Sequence, residues 1–215
     1  MNYIFDFDGT LADSKQCSIL ATQAAFKAYN LMIPQEEEII HYMGIPIEQS
    51  FKEMANISLT EADFNHLLTS FRRYYKQFEE ETLQLFSGMK DVLYELQRQQ
   101  ATCFVVSSKK TDVLKRNLMT LEIETFFKDC IGSDQVSHYK PHPEGIFVLL
   151  DRFNLEASDC VMIGDAIFDM QMGKSANCHT CAVTWGSHSK ELLKTEHPDF
   201  IIDYVVELLQ VGNVK

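Results

Sequence analysis

The chain has 215 residues, 46% hydrophobic and 23% charged, enough to bury a sizeable core as one domain or a domain with a subdomain. A formal net charge of −12 with no basic run excludes strong electrostatic binding to nucleic acid or an anionic membrane. No apolar stretch approaches the roughly 20 residues of a membrane helix, and six cysteines without a signal-peptide pattern point to a reducing cytoplasm.

Tyr3-Ile4-Phe5 reads as a buried strand running into Asp6-Phe7-Asp8-Gly9-Thr10-Leu11. Alternate strand side chains share a face, so Asp6 and Asp8 lie together if the strand persists. Burying two like charges is costly without a cation or proton between them, so the pair calls for a metal ion, acid/base work, or both. Asp13 and Ser14 then suit the start of a helix carrying Ile19, Leu20, Ala24 and Phe26. Helical patterns continue over Gln35 to Tyr42, Ile47 to Met54 and Thr60 to Glu80, with no strand evident. Phe64, Leu67, Leu68, Phe71 and Tyr75 share one face of the last.

The character changes at Phe86-Ser87-Gly88. Helices are predicted over Met89 to Gln99, Thr111 to Leu121, Pro143 to Phe153 and Ala166 to Ala176. Between them lie strands at Thr102 to Val106, one ending at Cys130-Ile131, Cys160 to Ile163, Cys178 to Thr184, and Phe200 to Ile202 before a closing helix. This alternation argues for an α/β fold, a doubly wound parallel sheet. The economical division makes residues 1–12 and 84–215 the Rossmann-like core. Residues 13–83 then form an inserted helical cap subdomain over the strand ends where Asp6 and Asp8 point; a separate helical module is the alternative. Cys178-His179-Thr180-Cys181 fits C-x-x-C, but in a strand its cysteines face opposite sides and read as small apolar residues.

Four segments sit at carboxyl ends of predicted strands, where open α/β sheets bind ligands. They are Asp6 to Thr10, Val105-Val106-Ser107-Ser108-Lys109, Tyr139-Lys140-Pro141-His142-Pro143-Glu144, and Gly164-Asp165-Ala166-Ile167-Phe168-Asp169. Each alone reads as turn or helix-cap chemistry. In this order, along the whole chain, they resemble the four motifs of the haloacid dehalogenase superfamily of hydrolases. Asp-Phe-Asp-Gly-Thr-Leu, Lys-Pro-His-Pro-Glu and Gly-Asp-x-x-x-Asp resemble its phosphoglycolate phosphatase, pyrophosphatase and β-phosphoglucomutase branch.

The resemblance implies a phosphatase working through an aspartyl phosphate on a small phosphorylated metabolite. It makes Asp6 the nucleophile and Asp8 the acid/base. Asp6, Asp8 (through its backbone carbonyl) and Asp165 would hold Mg²⁺. Ser107 and Lys140 would grip the phosphoryl oxygens, with Ser108 and Thr10 also among the substrate-binding residues. Thr10 would position Asp8 by a hydrogen bond, and Asp169 would stand behind the metal and orient Lys140 or a metal-bound water. An aspartate at position 8 favours a phosphate ester or anhydride over a carbon–halogen or carbon–phosphorus bond. A phosphomutase is the enzymatic alternative, weakened because the cap turn Tyr42-Met43-Gly44-Ile45-Pro46 carries no lysine or arginine; a non-catalytic binding module is the other. Arg72 and Arg73, with Tyr74 and Tyr75, read as solvated positions on an amphipathic helix, an anion contact being the alternative; His142 reads as capping the next helix or packing, and His41 and His138 as outside the mechanism. Partners other than the metabolite are not expected, and the chain is read as a monomer or weak homodimer.

Overall fold

The computed structural model describes residues 1–212, which contain eight strands. They are β1 (Asn2–Phe5), β2 (Ala12–Asp13), β3 (Gln84–Leu85), β4 (Thr102–Val106), β5 (Phe127–Ile131), β6 (Cys160–Gly164), β7 (His179–Val183) and β8 (Phe200–Ile202). Six of them form one parallel sheet in the order β5-β4-β1-β6-β7-β8. The helices are α1 (Lys15–Ala28), α2 (Glu36–His41), α3 (Ile47–Ala55), α4 (Glu61–Thr82), α5 (Met89–Arg98), α6 (Thr111–Thr120), α7 (Glu144–Phe153), α8 (Ile167–Ser175) and α9 (Lys190–Lys194). None of them is long and apolar enough to cross a membrane.

The two-residue period of a strand explains the layering. Tyr3, Phe5, Val105, Val161 and Ile163 point to one face and bury against α5 and α6 through Leu93, Leu96, Leu114 and Leu118. Ile4, Phe104, Val106 and Met162 point to the other and meet Ile146 and Leu149 of α7 and Met172 of α8. Full burial of each such side chain contributes about 1.5–3 kcal/mol. Cys178 joins the second cluster and Cys181 the first, so the C-x-x-C pair is split across the sheet; all six cysteines are buried and unpaired.

Register places the site. Phe5 lies level with Val105 on one side and Ile163 on the other, so the ends of β1, β4 and β6 reach one edge together. Residues just past these ends, Asp6, Ser107 and Asp165, are therefore neighbours.

The helical block builds a core of its own from Ile19, Phe26, Ile39, Met54, Leu67 and Phe71. Phe51 packs edge-on against Phe26 at 5.2 Å and against Phe71 at 5.1 Å between centroids, geometry that adds about 0.5–1.5 kcal/mol per pair beyond burial. Thr60 caps α4 by accepting from the Asp63 N–H. Buried Glu79 of α4 ties the block to α6, accepting both guanidinium bonds of Arg116 (2.7 and 2.9 Å) and one from Asn117 (2.8 Å).

Several sequence expectations are corrected. β1 stops at Phe5, so strand pleating does not carry Asp6 and Asp8. Ser14 occupies the cap position of α1 without a capping bond, its buried hydroxyl left without a hydrogen-bond partner among the described residues, and Asp13 instead accepts from the Lys15 N–H. The buried face of α1 runs through Cys17, Ile19, Ala21, Thr22, Ala25 and Phe26, leaving Leu20 and Ala24 half-buried. A strand pair flanks the helical block, β2 antiparallel to β3, too short to show a period in sequence. The closing helix is a 3₁₀ segment, Val205–Gln210.

Candidate active site

One residue past β1, the Asp6 N–H still donates to the Ile163 carbonyl (2.8 Å), which holds Asp6 at the sheet edge. Asp165 follows β6, Asp169 lies in the first turn of α8, and Lys140 stands in the loop before α7. All four are at most 7% exposed. Lys140 Nζ donates to Asp6 Oδ1 at 2.5 Å and to Asp169 Oδ1 at 2.8 Å, while Asp169 Oδ2 accepts from the Ala166 N–H and fixes the start of α8. Carboxylate oxygens of Asp6, Asp165 and Asp169 lie within 4.8 Å of one another.

Lys140 bonds two of the three buried carboxylates, so the fully ionised cluster would carry two negative charges more than its one ammonium offsets. Burial pushes Asp6 well above the usual carboxylate range; Lys140 opposes the shift, and Asp169, Asp165 and Asp8 add to it. Burial, then the charge of Asp169, raises Asp165 to about 6 against hydrogen bonds from Ser187 and Thr10. For Lys140 burial works against the charge, but Asp169 and Asp6 together outweigh it and raise its pKa. Such an all-oxygen donor set with two excess charges fits a hard divalent cation.

Asp165 is braced from both sides. Thr10 Oγ1 donates to its Oδ1 (3.1 Å), and the Ser187 N–H donates to its Oδ2 (2.6 Å). Thr10 thus turns to Asp165 and not, as expected, to Asp8. Gly9 has φ +79°, and a Cβ there would lie 2.2 Å from Asp165 Oδ2; a Cβ on Gly186 would lie 2.2 Å from the Asp165 Cβ. Only glycine lets both backbones close on this carboxylate. Trp185 Nε1 donates to the Thr10 carbonyl, linking the two braces.

Asp8 stands at the other side of Asp6, and both line one cavity. Lys109 Nζ lies 2.9 Å from Asp8 Oδ1 as an ion pair, while its aligned hydrogen bond goes to Tyr75 Oη of α4 (2.8 Å). The buried Asp8 Oδ1 is left with no hydrogen-bond partner among the described residues. The Lys109 ammonium also sits over the rings of Tyr75 (4.3 Å) and Phe7 (5.6 Å). Burial, then the Asp8 charge, pushes the Tyr75 hydroxyl well above its usual value, so it stays protonated.

Ser107 is buried, accepts from the Lys109 N–H, and shares a narrow cavity with Lys140. The Ser108 hydroxyl is turned away from the carboxylates and donates to the Gly44 carbonyl (2.8 Å), docking the Tyr42-to-Pro46 turn onto the core. Arg72 is not free in solvent but pairs with Glu48 at 2.6 Å beside the cavity, whereas Arg73 is exposed against the Tyr74 ring. His142 Nδ1 accepts from the Glu144 N–H, a cap for α7, and His138 contacts Glu144 at the surface.

Sequence reading gave no role to Lys109, Tyr75 or the Trp185-to-His188 loop. Lys109 ends a segment already singled out for its hydroxyls, so its signal was present. Tyr75 hid within an apolar helical face. Trp185-Gly186-Ser187 follows a further strand end, the same topological cue used for the other four segments.

Residues 3–183 match the family model for haloacid dehalogenase-like hydrolases. Pyrophosphatase PpaX of Oceanobacillus iheyensis is 31% identical over 208 residues, covering 97% of this chain and 94% of that protein. A probable phosphatase, IndB, of Dickeya dadantii is 29% identical, covering 96% and 90%. The crystal structure of a predicted phosphoglycolate phosphatase from Haemophilus somnus superposes with a TM-score of 0.90 at 26% identity, covering 98% of this chain and 96% of that one.

Proposed function

The chain belongs to the haloacid dehalogenase-like hydrolase family, and from that premise we propose that it is a Mg²⁺-dependent phosphohydrolase of small phosphorylated metabolites. The observation that carries the reading is the buried meeting of Asp6, Asp165 and Asp169 around Lys140, with Asp8 alongside. Asp6, the Asp8 carbonyl and Asp165 would hold the cation, which when bound offsets carboxylate charge and the charge of the phosphoryl group. Residues 13–83 serve in this reading as a cap over the site, residues 1–12 and 84–215 as the core, the last three lying outside the described residues.

Asp6 attacks phosphorus, and the bond to the leaving oxygen breaks as Asp8 delivers a proton to that oxygen. Asp8 then takes a proton from water, whose oxygen attacks the aspartyl phosphate; the Asp6–phosphorus bond breaks and phosphate departs. Lys140 and Ser107 hold the phosphoryl oxygens, and Asp169 keeps the Lys140 ammonium aimed. Ser108 and Thr10 contribute indirectly, Ser108 by docking the Gly44 turn and Thr10 by orienting Asp165.

Phosphate release from a panel of small esters is expected to stop with a chelator and return with Mg²⁺. In the same buffers Mg²⁺ should raise the melting temperature by several degrees, since a ligand bound only by the folded state stabilises it. Turnover that survives the chelator would overturn the metal reading.

Lys109 is a positioning residue in this mechanism: Tyr75 fixes the ammonium, and the ammonium fixes Asp8. Lys109→Met should therefore weaken proton delivery. The expected loss in kcat/KM is about 10²-fold for an alkyl phosphate and several-fold at most for p-nitrophenyl phosphate, whose leaving group needs little protonation. Equal losses on both substrates would assign Lys109 to structure alone.

A further inference from the structure

A second cluster of ligating side chains, His138, His142 and Glu144, lies on the loop that carries Lys140 and at the start of α7. A nitrogen of each ring and a Glu144 oxygen all fall within 4.8 Å of one another. The two rings stand 4.6 Å apart between centroids, and His138 Nδ1 is 2.8 Å from Glu144 Oε2. Both imidazoles are exposed. They border an open cleft of about 840 Å³ that His41 and Glu53 of the helical block also line.

Capping of α7 accounts for part of this arrangement. Glu144 accepts from the Ser137 and His138 N–H groups, both at 2.9 Å, and its own N–H donates to His142 Nδ1 at 3.3 Å. The first two bonds fix the direction of the carboxylate, as hydrogen bonds behind a metal ligand do. None of the three needs two imidazoles side by side.

The donor chemistry separates this cluster from the one at the sheet edge. Asp6, Asp165 and Asp169 are buried and offer oxygen alone, a set for a hard cation. Two imidazoles and a carboxylate suit a borderline ion, in the pattern of open zinc sites with three protein ligands and a water. Bonds of about 2.0–2.2 Å set tetrahedral ligand atoms about 3.4 Å apart. Exposed side chains close to that spacing by rotating between rotamers. The 3.3 Å bond to His142 lies at a solvent-facing helix start, where water replaces it at small cost.

We infer that His138, His142 and Glu144 bind a divalent transition ion such as Zn²⁺, at a site distinct from the Asp6 cluster. His138 and His142 flank Lys140 and Pro141 in sequence. A bound ion therefore fastens together the two ends of the segment that presents the Lys140 ammonium to Asp6 and Asp169.

Calorimetric titration with Zn²⁺, in millimolar Mg²⁺, tests this on the wild type, His138→Ala, His142→Ala, the double variant and Asp165→Asn. The wild type and Asp165→Asn are expected to bind one Zn²⁺ at the loop. Each alanine should weaken that event by about 10-fold or more, a loss that follows even from removing a residue behind a metal ligand. Zinc-edge X-ray absorption should show nitrogen and oxygen at about 2.0–2.2 Å and no thiolate sulfur at about 2.3 Å. Zn²⁺ should raise the melting temperature of the wild type and leave that of the double variant unmoved. Without Zn²⁺ the two should melt within a few degrees of each other, since only one cap bond and one surface contact are lost. No Zn²⁺ binding by the wild type, equal affinity in the double variant, or a sulfur shell would overturn the inference. The exposed alanine variants decide the matter even if Asp165→Asn does not fold.

Discussion

Asp6→Asn is expected to lower kcat for phosphate release by about 10⁴-fold or more, a loss of the size seen when a nucleophile is removed outright. The amide keeps the shape of the carboxylate, and its oxygen can still accept from Lys140 Nζ, so the site should not collapse. What disappears is the anionic oxygen that, in the proposed mechanism, forms the bond to phosphorus. The same variant removes one of three clustered buried carboxylates, two of which bond one ammonium. Because burial already holds Asp6 well above the usual carboxylate range, its charge is a burden on the metal-free fold. Asp6→Asn should therefore melt no lower than the wild type in metal-free buffer. Activity within tenfold of wild type would remove Asp6 as nucleophile; a markedly lower melting temperature would contradict the charge argument.

Lys140→Met should fail in both respects. Removing one partner of a buried ion pair costs about 3–5 kcal/mol, since the other is left charged and dry. Here Asp6 and Asp169 are both stranded. At about 2–4 °C per kcal/mol for a chain of this size, the melting temperature should fall by roughly 6–20 °C. Turnover is expected to fall by about 10²–10³-fold as a donor to the phosphoryl oxygens is lost. Adding Asp169→Asn to Lys140→Met removes one stranded charge and should recover part of the melting temperature without recovering turnover. Calorimetry and phosphate release on the two proteins separate the roles. If the double variant is no more stable than the single one, the stability of the site does not depend on this charge balance.

Most of the sheet was legible because β1, β4 and β6 are short apolar runs that end where the side chains turn polar, whereas β5, with Lys128 and Asp129 inside it, showed only its end at Cys130-Ile131. Val105-Val106-Ser107 and Ile163-Gly164-Asp165 show that change within one residue. Position in the sheet was harder, since order depends on which runs pair. The carboxyl-end rule accounts for Asp6, Ser107 and Asp165, each directly after a strand; Lys140, expected at a strand end as well, lies instead beyond the 3₁₀ turn Ser133–Gln135 that follows β5, in the loop into α7. Contacts made by tertiary approach alone left no trace. Thr10 was expected at Asp8, its neighbour in sequence, but the turn with Gly9 at positive φ aims it at Asp165 across the sheet. Tyr75 and Lys109 are 34 residues apart and meet only because α4 lies over the end of β4. Arg72 read as solvated because Glu48, its partner, belongs to a different helix.

The chain enters the helical block through β2 and leaves it through β3, and these two crossings are bonded side by side. Two adjacent backbones act as a hinge: a single axis through the pair allows the block to swing with its own apolar core intact. Polar ties to the core across the opening include Ser108 to Gly44, Lys109 to Tyr75, and Arg116 and Asn117 to Glu79. Water replaces such bonds at a small net cost each, whereas separating the edge-on aromatic cluster of Phe26, Phe51 and Phe71 would cost more. A swing about that axis would open the cavity that Asp6 and Asp8 line and draw the Tyr75 hydroxyl off Lys109. In the proposed mechanism, substrate entry and release of Asp8 from its fixed position would then be a single mechanical event.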